Sequence, residues 1–214
     1  MATRNFQDDF ELRSLVLRER YLKDTQQWEG WRDCYHPDSS QTWIEIAWIE
    51  GEIDEFVTRS IDMTSRVAST HSMQPVDVKI NADRALVMSY GHITLRFTEQ
   101  DQEYDMISWG WWIHRAVHLE SQQRWLLTAM RFIYNRDSIV PVAPGPKSVL
   151  DIELGPDTRP SCKYLEWTLT RRGYAISKTL VGTDQPDGVK VLRAQEDTWL
   201  FGGSSILLRN RTLS

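Results

Sequence analysis

The sequence predicts an α+β fold, with helices packed on one face of a curved, mostly antiparallel sheet. Three observations point there. Apolar residues recur at helical spacing before residue 66, and four long alternating segments follow one another from residue 69 onward. The pair of segments at residues 103–137 is apolar on both faces, as expected of a sheet covered on each side. Helices first and a strand meander after is an α+β layout.

The elements follow in order. Residues 6–23 place Phe10, Leu12, Leu15, Leu17 and Tyr21 at roughly helical spacing, with Asp8 or Asp9 able to cap the start. A break at Asp24–Thr25 leads to a short helix at 27–35 carrying Trp28, Trp31 and Cys34, then a His36–Pro37–Asp38 turn. Residues 42–50 alternate as one strand that Gly51 ends. A third helix is expected at 53–66, with Ile53, Phe56, Val57, Ile61 and Met63 as its apolar stripe. Strands at 71–80 and 85–98 precede the central pair, which turns at 118–123. On the first central strand Asp105, Ile107, Trp109 and Trp111 share one face, and Tyr104, Met106, Ser108 and Trp112 the other. One cover of this sheet would be the chain's own helices, the other a pocket or a second subunit. The proline-rich stretch 140–147 is a plausible boundary, dividing a domain at 6–144 from a partly helical C-terminal extension at 145–214. Within that extension, residues 161–172 and 189–201 read as helices.

Composition narrows the function. Of 214 residues, 41% are hydrophobic and ten are tryptophan, enough for a sizeable core. The net charge is −5 and the basic residues are scattered, which disfavours nucleic acid as a partner. No apolar run approaches the roughly 20 residues a membrane span needs, and the acidic N-terminal stretch lacks the apolar core of a signal peptide, so a cytoplasmic protein is expected. Cys34 and Cys162 show no metal-ligand spacing and are expected to be reduced thiols. Nucleotide-loop, nucleophile-elbow and zinc-protease patterns are missing, and His114 and His118 fall on a strand and its turn, a poor arrangement for a shared metal. The expected chemistry therefore uses neither cofactor nor metal.

Several phrases, together with the element order, resemble the nuclear transport factor 2-like superfamily, in particular its SnoaL-like, polyketide cyclase branch. They are RERYLKDTQQWEGW, the HPD turn, IAWIEGEIDEFVTRS, STHSMQPVDVKINADRALV and WLLTAMRFIYNRDSIVPV, and the resemblance covers about residues 11–144. It implies a cone made of a bent sheet and three helices, with a deep, mostly apolar cavity at the open end. Members include scytalone dehydratase, ketosteroid isomerase, limonene epoxide hydrolase and polyketide cyclases, along with proteins that only bind ligands or partners. They are often dimers through the convex sheet face, so a homodimer is expected.

Residue by residue, the resemblance implies a catalytic pair. Scytalone dehydratase carries an Asp just after its first helix, four residues before a Trp, and a His at the start of the strand after its third helix. Asp24, Trp28 and His71 stand at those places. A carboxylate bonded to one imidazole nitrogen would leave the other free to move protons. The alternative is that Asp24 caps the second helix and His71 bonds a backbone carbonyl. The dehydratase's second His would fall near Leu95 or Arg96, and its central Ser and Asn on Ile107 and Trp109, which suggests a more apolar, aromatic substrate.

Two further residues are candidates for stabilising a carbonyl. Tyr90 shares a strand face with His92, against the alternative of a sheet exterior or subunit interface, and Arg131 needs a carboxylate partner, for which Asp105 and Glu45 are the natural choices. Tyr21, Trp28, Trp48, Asp105, Trp109 and Trp111 are the candidate substrate contacts, since an indole-walled cavity suits a flat hydrophobic ligand. The expected activity is isomerisation, cyclisation or dehydration of a polyketide- or terpenoid-type metabolite. The rivals are a non-catalytic binding or assembly protein, and an epoxide hydrolase or cyclase using Asp105, Arg131 and Asp24.

Overall fold

In the computed structural model, residues 6–143, 145 and 150–203 are described. Helix α1 (Phe6–Asp24) leads into the short α2 (Trp28–Arg32), a hairpin of β1 (Trp43–Ile46) and β2 (Ile49–Gly51), and α3 (Ile53–Thr64). Four long strands follow: β3 (Ala68–Asn81), β4 (Arg84–Glu99), β5 (Gln102–Leu119) and β6 (Arg124–Pro141). Two helices close the described chain, α4 (Lys163–Thr170) and α5 (Pro186–Leu200). The strands form one sheet in the order β2-β1-β6-β5-β4-β3. Among these six strands only the β1–β6 pairing is parallel. The expected α+β class is what the structure shows.

Two expectations need correction. The single strand expected at 42–50 is a hairpin, because Ile46 pairs with Ile49 and leaves Ala47 and Trp48 as a two-residue turn. Neither is a usual turn residue, so the reversal has no local signal. On α1 the expected apolar stripe holds for Leu12 and Leu15 but not for Phe10, Leu17 and Tyr21. The inward face carries Leu12, Leu15 and Val16 and then Glu19, Arg20 and Lys23, whereas Phe10 and Tyr21 are 63% and 61% exposed. The inward set still recurs every three to four residues, as one helical face must. Its second half is charged because Glu19 and Arg20 pair with each other inside the cone and Lys23 lines a cavity there.

The sheet bends where Gly91 on β4 faces Gly110 on β5. A β-carbon on Gly91 would lie 1.8 Å from the Ser72 carbonyl oxygen, and one on Gly110 2.1 Å from that of Ile133. Only glycine permits so close an approach. Register shifts at Pro75/Asp77 and Trp109/Gly110 add to the curvature.

The concave face packs Val87, Leu95, Tyr104, Met106, Trp112 and Phe132 against α1, α2 and α3. Helix α4 crosses the open end and adds Leu165 and Leu169 to the same core. Helix α5 lies on the convex face, where Leu192, Trp199 and Leu200 meet Leu86, Ile113 and Ile133. Its Glu196 holds Arg115 at 2.5 Å and Arg131 at 3.1 Å, with all three buried. The cover of that part of the convex face is thus α5, not a second subunit. The extension also continues the sheet locally: the Tyr134 N–H donates to the Val181 carbonyl, and the Thr183 N–H to that of Tyr134. Of the expected boundary at 140–147, positions 144, 146 and 147 lie outside the described residues, as does the tail from 204 onward. Among the described residues no helix is long and apolar enough to cross a membrane.

Candidate active site

Asp24 ends α1 and His71 lies on the neighbouring edge strand β3. Asp24 holds His71 at two points: Oδ2 accepts from the His71 backbone N–H at 2.7 Å, and Oδ1 lies 2.7 Å from Nδ1. The second helix takes no side-chain cap, and Asp24 serves His71 instead. Burial pushes the His71 imidazole down to about 4 despite its bond to Asp24, with nearby Lys23 adding to the effect. Burial acts to raise the Asp24 carboxyl, but the bonds and charge of His71, with Lys23, hold it below its usual value. At neutral pH the pair is carboxylate and neutral imidazole. Bonded to a carboxylate, Nδ1 carries the proton, and Nε2 presents its lone pair.

His71 opens onto a cavity of about 40 Å3 whose walls include Arg20, Lys23, Trp48, Phe56, Tyr134 and Leu165. The deep hollow implied by the resemblance is therefore largely filled. Trp112, Phe132 and Tyr134 stack edge to face down its inside, with centroids 4.5 and 4.8 Å apart, and Leu165 and Leu169 stop the mouth. A larger open cleft, about 650 Å3, lies on the outer side of α4 beside Trp167. Of its basic groups, Lys178 pairs with Glu166, Arg171 with Glu99, and Lys163 lies over the Tyr164 ring, whereas the smaller cavity holds His71.

Of the residues expected at the site, His71 and Trp48 line the cavity, and Asp24 is tied to it through His71. Tyr90, Asp105, Trp109, Trp111 and Arg131 do not: strand alternation carries all five to the convex face. There Tyr90 packs on Trp111 at 5.6 Å, and Arg136 stacks over Trp109 at 4.7 Å. Asp105 pairs with Arg96 at 2.8 Å. Arg131 finds Glu45 at 3.0 Å and Glu196 at 3.1 Å, an ion pair under α5 with no access to the cavity. Separating Asp105 and Arg131 from Asp24 also removes the arrangement that epoxide hydrolysis would need. Tyr21 faces outward, and Trp28 stacks on Trp31 at 6.0 Å beside a different surface hollow. The indoles expected to wall the cavity are mostly elsewhere.

Other interior polar groups carry little sequence signal. Buried Glu19 accepts from Arg20, from Trp31 Nε1 at 2.6 Å and from the Tyr35 hydroxyl at 2.9 Å. Burial alone would raise its carboxyl, but Arg20 overrides that and brings it down to about 2. Lys23 is buried and lines the cavity. His114 is fully buried, both ring nitrogens lack a hydrogen-bond partner among the described residues, and burial lowers it to about 4. Strand register places His71, Ile93, Ser108 and Asp137 in one row across the concave face. Asp137 Oδ2 accepts the Tyr164 and Leu165 N–H groups at the start of α4, at 2.7 and 2.8 Å. Burial lifts Asp137 to about 6 against those bonds. The one clue was phase: Ser108 and His114 fall on the inward alternation of β5, between Met106 and Ala116.

The profile of the SnoaL-like domain matches residues 4–131. The chain belongs to the SnoaL-like domain family. No curated protein matches the sequence. Solved structures agree on the fold at low identity. A Mycobacterium tuberculosis protein of unknown function has a TM-score of 0.51 and 15% identity, over 81% of this chain and all of that one. A Kribbella flavida protein gives 0.51 and 14%, over 59% of this chain and 89% of that one. A provisionally named scytalone dehydratase from Novosphingobium aromaticivorans gives 0.51 and 13%, over 69% and 97%. The SnoaL-like match ends at residue 131, so α4 and α5 lie beyond it.

Proposed function

We propose that this SnoaL-like protein is a cofactor-independent acid–base enzyme acting on a small hydrophobic carbonyl compound of polyketide or terpenoid type. The observation that carries this is the two-point hold of Asp24 on His71 at the wall of a cavity. His71 Nε2 takes a proton from the carbon next to the carbonyl, and Asp24 stabilises the imidazolium that results. Returning that proton to another carbon is isomerisation; giving it to a departing hydroxyl is dehydration. Tyr134 lines the same cavity with its hydroxyl oxygen accepting from the Ala47 N–H at 2.7 Å. Burial raises that phenol, keeping its proton available for the substrate oxygen.

A cavity of about 40 Å3 holds little more than water. Substrate entry therefore requires Leu165 and Leu169, and hence α4, to move aside. The filled cavity favours a second reading, in which Asp24 and His71 only tie α1 to β3 and nothing is catalysed. Deuterium exchange at the α-carbon of a panel of small hydrophobic ketones, followed by NMR, separates the two. The enzyme reading expects exchange above the buffer rate, falling about 100-fold or more in Asp24→Asn and in His71→Asn. Exchange that is absent, or unchanged in both variants, leaves the non-catalytic reading.

A further inference from the structure

Lys23 is an unusual lysine. It sits in the last turn of α1, is 6% exposed, and lines the cavity together with His71 and Tyr134. Among the described residues no hydrogen bond or ion pair engages its ammonium group. The two nearby carboxylates are already committed, Glu19 to Arg20, Trp31 and Tyr35, and Asp24 to His71. A lysine placed to hold an anion would normally sit among donors that share the load. Here the adjacent Arg20 is neutralised by Glu19, and burial penalises the ammonium itself. Burial, reinforced by Arg20, brings Lys23 down to about 8, so at pH 7 roughly a tenth of the molecules carry the free amine. A desolvated neutral lysine beside a proton carrier is a nucleophile for carbonyl carbon.

We propose that Lys23 captures an aldehyde or ketone as a Schiff base in this cavity, with His71 carrying the protons. This rests on the reading that the cavity admits a carbonyl compound. The Nζ lone pair forms a C–N bond to the carbonyl carbon, and the C=O electron pair moves to oxygen. His71 relays the proton lost from nitrogen to that oxygen, giving a carbinolamine. A second protonation of the hydroxyl releases it as water, and the C–O bond breaks to leave a protonated imine. The iminium is a stronger electron sink than the parent carbonyl. It makes the neighbouring C–H acidic enough for a base as weak as buried His71, and the resulting enamine is reprotonated before water reverses the capture.

The test is reductive trapping in the full-length protein. Butanal, cyclohexanone and related small carbonyl compounds are added with sodium cyanoborohydride, and the alkylated lysines are located by peptide mass mapping. Lys23 is expected to label at least tenfold faster than exposed Lys190, and the Lys23 label to vanish in Lys23→Arg and Lys23→Met. His71→Asn should slow trapping at Lys23 while leaving Lys190 unaffected. Labelling of Lys23 no faster than Lys190 overturns the proposal, whether or not the variants fold, because that comparison is made in the unaltered chain. The two readings fail separately. Ketone α-exchange without Lys23 trapping sinks the covalent step alone, whereas trapping without exchange sinks the proton-transfer enzyme alone.

Discussion

Lowering the pH from 7 to 4.5 should strip stability from this protein through its two interior imidazoles. His71 and His114 both sit at about 4 when folded, against about 6.5 when exposed. Below 6.5 the unfolded chain takes up protons that the folded chain refuses until about 4, so stability falls as pH drops through that window. By pH 4.5 each imidazole costs about 2.5 kcal/mol. Asp137 works in the opposite direction. Raised to about 6 when folded, it binds its proton before the unfolded chain does, and by pH 4.5 it returns about 2 kcal/mol. Glu19, held down to about 2, and Asp24, also lowered, begin to lose stability only below their ordinary carboxylate values. Lys23, at about 8, is already mostly protonated at pH 7 and contributes little over this range. The net loss is roughly 3 kcal/mol, a large part of the total stability of a typical domain. Urea unfolding followed by tryptophan fluorescence at pH 7, 6, 5 and 4.5 measures it. His114→Gln should flatten the profile by about 2.5 kcal/mol, and Asp137→Asn should steepen it by about 2. Equal or greater stability at pH 4.5 than at pH 7 would refute the burial of these imidazoles in neutral form.

Two further substitutions probe how the scaffold holds the site. Glu196→Ala removes the carboxylate shared by Arg115 and Arg131 and leaves Arg131 only Glu45. A loss of about 3 to 5 kcal/mol is expected, with faster proteolysis in α5, because the buried Arg115 guanidinium loses its carboxylate and that of Arg131 keeps one of two. Unchanged protection of α5 would contradict this docking. Gly91→Ala drives a methyl group against the Ser72 carbonyl, from which its carbon would lie only 1.8 Å. The strands must separate, and a destabilisation of about 3 kcal/mol or more is expected by calorimetry. A melting temperature within a degree or two of the parent would show that the bend does not need that contact.

The architecture was readable because it depends on periodicity. The long alternating segments became β3 to β6, and the helical spacing within residues 6–64 became α1, α2 and α3. The two faces of β5 were also grouped correctly, with Asp105, Trp109 and Trp111 on one and Tyr104, Met106 and Trp112 on the other. Alternation does not say which face turns inward when both are apolar. Here α5, about eighty residues later in the chain, covers one of them. That is why indoles expected at the substrate lie on the convex face. The same limit applies to α1, where Glu19, Arg20 and Lys23 look solvent-facing until Trp31, Tyr35 and the cavity supply their surroundings.

By itself, then, the sequence determined the α+β class and the family, and its family-like spacing singled out Asp24 and His71. Local periodicity and short motifs require nothing beyond their immediate neighbours. Tertiary structure alone decided that Lys23 is buried beside that pair, that Arg131 serves α5, and that α4 stops the mouth of the cone. Each of those outcomes is set by what packs across from a residue, and those partners come from distant parts of the chain.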